Sequence, residues 1–282
     1  MTERKQVLEA HLDALAAGFS GKLSLYVKDI VSGETIARDP DAVVPTASCI
    51  KLFVLMELMR RVANGELTLE QSIPVLARQQ VGGSGVLKDL SAGIVLPLRD
   101  VATLMIVLSD NTATNMLVDL LGREAINKMI RGLGLHETTL FNKVDFEAIG
   151  NDVRRFAAGT AREFGAALEK IADGTFADGA ACRNIIDILE RQQYLDLLPR
   201  YLPYNPYARE LNAPQSLRIA NKTGFYMGVR CDAALLFLPA RTVVAVAFTR
   251  DSKDPTFNVD NENAVFLGRI GLALYEYFAA SE

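Results

Sequence analysis

The chain has 282 residues, half of them hydrophobic and 23% charged, with a net charge of −4. This describes a globular protein with room for one large domain or two lobes, and the slightly acidic balance gives no basis for nucleic-acid binding. No apolar run reaches the roughly 18 residues a spanning helix needs, and no low-complexity tract or internal repeat stands out.

In chain order, residues 3–17 show helical periodicity, with Val7, Leu8, His11, Leu12 and Leu15 on one stripe. The stretch Met1–Ala10 carries charges where a secretory signal needs an apolar core. The expected location is therefore cytoplasmic, or periplasmic or secreted if a leader was removed. Leu23-Ser24-Leu25-Tyr26-Val27 alternates as a strand, Ser32-Gly33 makes a turn, and a second strand follows near 34–37. A helical pattern runs from Ser48 to about Asn64, where Gly65 ends it. A loop with Gly82-Gly83-Ser84-Gly85 precedes helices near 98–108, 112–121 and 123–132. Residues 137–158 lack clear periodicity, and helices resume near 160–172 and 178–192. After Pro203, Pro206 and Pro214 come three antiparallel strands, near 216–223, 228–237 and 242–249. A long apolar helix near 261–278 closes the chain.

Strands and helices at both ends and helices in the middle predict an α/β (α+β) fold. An antiparallel sheet flanked by helices is built from 1–44 and 210–282, and an all-helical lobe from 45–209, within a single domain of residues 1–282. A cleft is expected where the lobes meet, and Ser48 lies where the chain crosses between them.

Ser48-Cys49-Ile50-Lys51 places a hydroxyl and an amine three residues apart, on one helix face. A lysine whose pKa is lowered by burial or a neighbouring positive charge can take the serine proton without histidine. Ser109-Asp110-Asn111 sits between two helical segments, where a turn aims Ser109 and Asn111 at one point and leaves Asp110 to cap backbone. Lys222-Thr223-Gly224 ends a strand-like run, with Lys222 and Thr223 on opposite faces, so both serve one site only along a strand edge. Gly224, lacking a Cβ, is expected to let a substrate backbone approach that edge. His11 and His136 stand apart from any acidic or cysteine cluster, which argues against a metal site, and no Gly-x-Ser-x-Gly elbow surrounds a serine.

Ser-x-x-Lys, Ser-Asp-Asn and Lys-Thr-Gly in this order resemble the signature of penicillin-recognising serine hydrolases, class A β-lactamases in particular. The segments Met105–Asn115 and Val229–Leu236 also read like that family, and the similarity covers most of the chain. The resemblance implies that Ser48 is the nucleophile of an acyl-enzyme, that Lys51 takes its proton, and that Ser109 relays a proton to the leaving nitrogen. It gives Lys222 the task of orienting Ser109 and lowering the pKa of Lys51. Asn111 would bind the substrate's side-chain amide, and Thr223, helped by Arg230, its carboxylate. The backbone N–H groups of Ser48 and Phe225 would form the oxyanion hole. No metal or cofactor is implied, and the implied partner is a small β-lactam or other acyl compound, with neither nucleic acid nor membrane involved. Structural thiols are expected at Cys49, Cys182 and Cys231, with a Cys49–Cys231 disulfide left open by the fold.

One departure stands out. The family's Glu-x-x-Leu-Asn motif supplies the base that activates the deacylating water. Matching Ala148–Asp152 to the family puts that glutamate at Asn142, where no carboxylate stands. Asp145 and Glu147 are nearby in another register, Glu147 being the local candidate base. The expectation is acylation at Ser48 with slow deacylation. Two alternatives remain open: an esterase, amidase or peptidase with a different natural substrate, and a penicillin-binding sensing module without turnover.

Overall fold

The computed structural model describes residues 3–208 and 210–280. Its main sheet has five strands: β1 (Lys22–Asp29), β2 (Thr35–Arg38), and the later β8 (Arg218–Tyr226), β9 (Val229–Leu238) and β10 (Arg241–Arg250). All neighbours are antiparallel, in the order β2-β1-β10-β9-β8, so β8 is an edge strand. Alternation along the strands sorts side chains to two covered faces. Leu25, Val27, Leu236, Val243 and Ala245 face α1 (Glu3–Ala17) and the C-terminal helix α9 (Glu262–Ala279). Tyr26, Leu235, Val244, Val246 and Phe248 face the remaining helices.

Between β2 and β8, among the described residues, run short strands and seven α-helices. These are β3 (Val44–Pro45), α2 (Lys51–Ala63), β4 (Ser72–Pro74), β5 (Val95–Pro97), α3 (Leu98–Val107), α4 (Asn111–Leu121) and α5 (Arg123–Gly132). They continue with β6 (Thr139–Leu140), α6 (Phe146–Ile149), β7 (Ala157–Gly159), α7 (Ala161–Ala172) and α8 (Gly179–Leu189). Strand β7 lies between β3 and β6, and β4 pairs with β5. Helix α2 is the hub: it is buried on every side from Lys51 to Met59 and packs on α3, α4, α5 and α8. Its one buried acid, Glu57, is satisfied by Arg60 Nε at 2.8 Å and Arg61 Nε at 2.9 Å.

The antiparallel sheet flanked by helices is the fold class read from the sequence. Three details differ. On α1 only Leu8 and Leu12 are buried, while Val7 and His11 face outward, because the helix lies on α9 along a narrow seam. Helix α2 begins at Lys51 rather than Ser48, since Ala47–Ile50 forms a tighter 3₁₀ turn. The aperiodic stretch 137–158 holds β6 and α6, elements of two and four residues, too short to show a period.

Candidate active site

Ser48 is carried by the turn Ala47–Ile50, and the residue before it is in the left-handed region, with φ of +43° at Ala47. Ser109, at the α3–α4 junction, has φ of +51°. Such strain in non-glycine residues is uncommon and gathers at functional sites. It aims Ser48, half-buried, into a cleft of about 430 Å³ that Ala47, Asn111 and Gly83 also line.

Lys51 is fully buried behind this turn. Its Nζ donates to Ser109 O at 2.7 Å, Ser109 Oγ at 3.2 Å and Asn111 Oδ1 at 2.9 Å, and not to the Ser48 hydroxyl. Lys222, also fully buried, donates to the same Ser109 Oγ at 3.2 Å and to Thr223 O at 2.7 Å. One hydroxyl thus lies between two buried lysine nitrogens. Burial pushes Lys51 well below the usual lysine pKa and the charge of Lys222 pushes it further, against an opposite pull from Asp110. Burial brings Lys222 down to about 8, partly offset by Cys49 and Asp232.

Asp110 does what its place between two helices suggested. It caps α4 through Ala113 N at 2.9 Å and accepts from Val86 N and Leu87 N at 2.7 and 2.9 Å, tying the glycine-rich loop to the junction. Asn111 donates to Gly82 O at 3.0 Å, so the loop also fixes the side chain that contacts Lys51.

Edge strand β8 brings Lys222 and Thr223 to one place. Thr223 Oγ1 is buried without a partner among the described residues. Gly224 is needed for a different reason from the one expected. A Cβ there would sit 2.8 Å from Thr46 O, 3.0 Å from Ser48 N and 3.1 Å from Cys49 N. The Ala47–Ile50 turn that carries Ser48 occupies the space. Gly224→Ala is therefore expected to cut acylation of Ser48 at least about tenfold by displacing its amide, read as the second-order rate of adduct formation. A rate equal to the parent's would show that the turn yields without loss.

Phe225 lines the cleft, whereas Arg230 does not. Arg230 is 1% exposed, donates to Tyr226 O, Val229 O and Thr256 O at 2.6, 2.8 and 2.7 Å, and lies against the rings of Phe225 and Phe257. Cys49, Cys182 and Cys231 are buried free thiols, so the structure contains no Cys49–Cys231 disulfide. Burial raises the pKa of Cys49.

The loop beside α6 forms one wall of the cleft, through Val144, Phe146, Ile149, Val153 and Phe156. No carboxylate from it reaches the cleft. Asn142 donates to Arg155 O at 2.7 Å, Asp145 caps α6 through the amides of Glu147 and Ala148, and Glu147 is exposed. Tyr226 pins the loop to β8 through Gly150 O at 2.7 Å. Tyr194, Asp196 and Phe257 also line the cleft, and none of them stood out in the sequence. They lie in irregular segments with neither a motif nor a period to mark them.

The fold and this paired-lysine site define a serine hydrolase. A family model described as the β-lactamase enzyme family matches residues 6–278, and the chain belongs to that family. A solved β-lactamase from Sphaerobacter thermophilus is 29% identical, with a TM-score of 0.84 and 95% of each chain covered. The β-lactamase SME-1 of Serratia marcescens is 26% identical over 249 residues, 85% of this chain and 80% of that protein. The β-lactamase regulatory protein BlaB of Streptomyces cacaoi is 29% identical over 142 residues, 50% of this chain and 45% of that protein.

Proposed function

We propose that Ser48 is acylated by β-lactams and that the acyl-enzyme is released slowly. Ser48 Oγ attacks the lactam carbonyl and passes its proton to neutral Lys51. The oxyanion forms against the backbone N–H groups of Ser48 and Phe225, each donor worth about 2.7–4 kcal/mol in the transition state. The C–N bond breaks, Ser109 delivers its hydroxyl proton to the nitrogen, and Lys51 passes the proton taken from Ser48 to Ser109 Oγ, which returns Lys51 to its neutral form while Lys222 holds the same oxygen. Asn111 takes the substrate's amide, and Thr223 takes its carboxylate, with the buried charge of Arg230 behind Phe225. In the free protein Lys51 points to Ser109 and Asn111; contact with Ser48 tightens when substrate fills the cleft. The cleft lies between the two proposed lobes, 1–44 with 210–282 and 45–209.

The observation that carries acylation is Ser109 Oγ, 3.2 Å from both buried lysine nitrogens. Slow release is supported by the apolar wall at Val144, Phe146 and Ile149, which offers no base to a water near Ser48. The same wall favours a second reading, a sensing module that keeps its adduct. Among the described residues no helix is long and apolar enough to cross a membrane.

Intact mass after incubation with a penicillin is expected to show one adduct in the parent and none in Ser48→Ala. No adduct together with no hydrolysis of a chromogenic cephalosporin would reject the reading. Turnover of a p-nitrophenyl ester in their place would favour a non-lactam substrate, and a persistent adduct without turnover of either would favour the sensor. Because Glu147 is exposed and off the cleft, Glu147→Gln should release the adduct within about twofold of the parent rate, against the roughly 10²–10⁴-fold that loss of a true general base costs. A larger loss would make Glu147 the base after all.

A further inference from the structure

Two buried polar atoms that no described residue satisfies are Thr223 Oγ1, on β8 two residues before the cleft residue Phe225, and Asp196 Oδ1, whose residue lines the cleft. The first is a hydroxyl, able to donate to an anion. The second belongs to the only carboxylate among the described residues that line the cleft. No ion pair ties Asp196 to Arg230, although the two lie within electrostatic reach, because the Arg230 guanidinium already serves three carbonyls. A carboxylate oxygen kept from water without a donor is costly, and a bound cation removes that cost. Its surroundings suit one. Tyr194 and Phe225 meet edge-on at 5.7 Å, and Phe257 completes the aromatic lining on this side. Aromatic faces beside a carboxylate form a common setting for organic ammonium ions.

We propose that Asp196, with Tyr194 and Phe225, forms a subsite for a cationic group, ammonium or pyridinium, on the part of the substrate that also carries the carboxylate. Asp196 is then a specificity-determining residue. The preferred ligand is zwitterionic on its leaving side, with the carboxylate at Thr223 and the cation at Asp196. The assignment of sides rests on the proposed acylation of Ser48.

Two cephalosporins with the same acyl side chain test this, one with a neutral acetoxymethyl and one with a pyridiniummethyl substituent. The parent should be acylated about tenfold faster (as kcat/KM, or the second-order adduct rate) by the cationic compound. That ratio should fall with added salt and approach one in Asp196→Asn. A parent ratio near one, or a ratio unchanged in Asp196→Asn, overturns the subsite while leaving acylation intact. If neither compound acylates Ser48, the functional reading fails, and calorimetry with benzyltrimethylammonium decides the subsite alone. Binding to the parent that weakens with salt supports it, and no binding overturns it. The salt series on the parent keeps the test decisive should Asp196→Asn fail to fold.

Discussion

Lys51→Met is expected to lower the acylation rate of Ser48 by about 10²–10⁴-fold, the usual contribution of a positioned general base. The substitution keeps an unbranched side chain in a fully buried position, so it removes the base without opening a large cavity. It also strands Ser109 O and Asn111 Oδ1, which lose donors at 2.7 and 2.9 Å. Unpaired buried acceptors cost about 1–3 kcal/mol each, while deleting a desolvated amine returns part of that. The loss should therefore appear mainly in the rate, with a smaller change in unfolding midpoint. Adduct formation by stopped-flow mass sampling, with a denaturant titration in parallel, separates the two. A rate within threefold of the parent would remove Lys51 from the mechanism.

Lys222→Met should cost about 10²–10³-fold in acylation, the scale for losing one preorganised donor, and should also move the pH profile. Lys51 accepts a proton only when neutral, so the rate rises with pH through its lowered pKa. After burial, the charge of Lys222 is the next cause of that lowering. Without it the acid limb moves to higher pH. A merely structural role for Lys222 predicts a slower enzyme with an unshifted limb.

Stability carries a matching signature. Lys222 titrates at about 8 in the folded protein against an ordinary 10.5. Below about 8 both states are protonated and the group contributes no slope. Between about 8 and 10.5 the unfolded chain binds the extra proton, so stability rises with pH, by up to roughly 3 kcal/mol. Lys222→Met should flatten that rise in denaturant titrations across the window. Asp232 has the opposite slope, since burial raises its pKa from 3.8 to about 7 and stability from this group falls as pH climbs between those values.

Much of the site was legible because its parts are local. Ser48 and Lys51 are three residues apart, as Ser109 and Asn111 are two apart, and short spacings on a helix or turn translate directly into side-chain direction. Asp110 as a cap followed from its position between two helices, and the sheet's alternating strands announced themselves by period. The reason for Gly224 was not local: its missing Cβ makes room for Thr46 O and Ser48 N, about 175 positions earlier in the chain. Likewise Glu147 was adjacent in sequence to the missing base but faces solvent, since Asp145 turns α6 and spends its carboxylate on the cap.

The sequence by itself determined the long helices, the five strands of the main sheet and the three motifs, because periodicity and short-range spacing are properties of a few consecutive residues. Tertiary structure alone decided that Ser109 Oγ lies between two buried lysines, that an apolar wall stands where a base was sought, and that Asp196 enters the cleft. Each of these depends on desolvation and on contacts between distant segments, and neither quantity exists until the chain is packed.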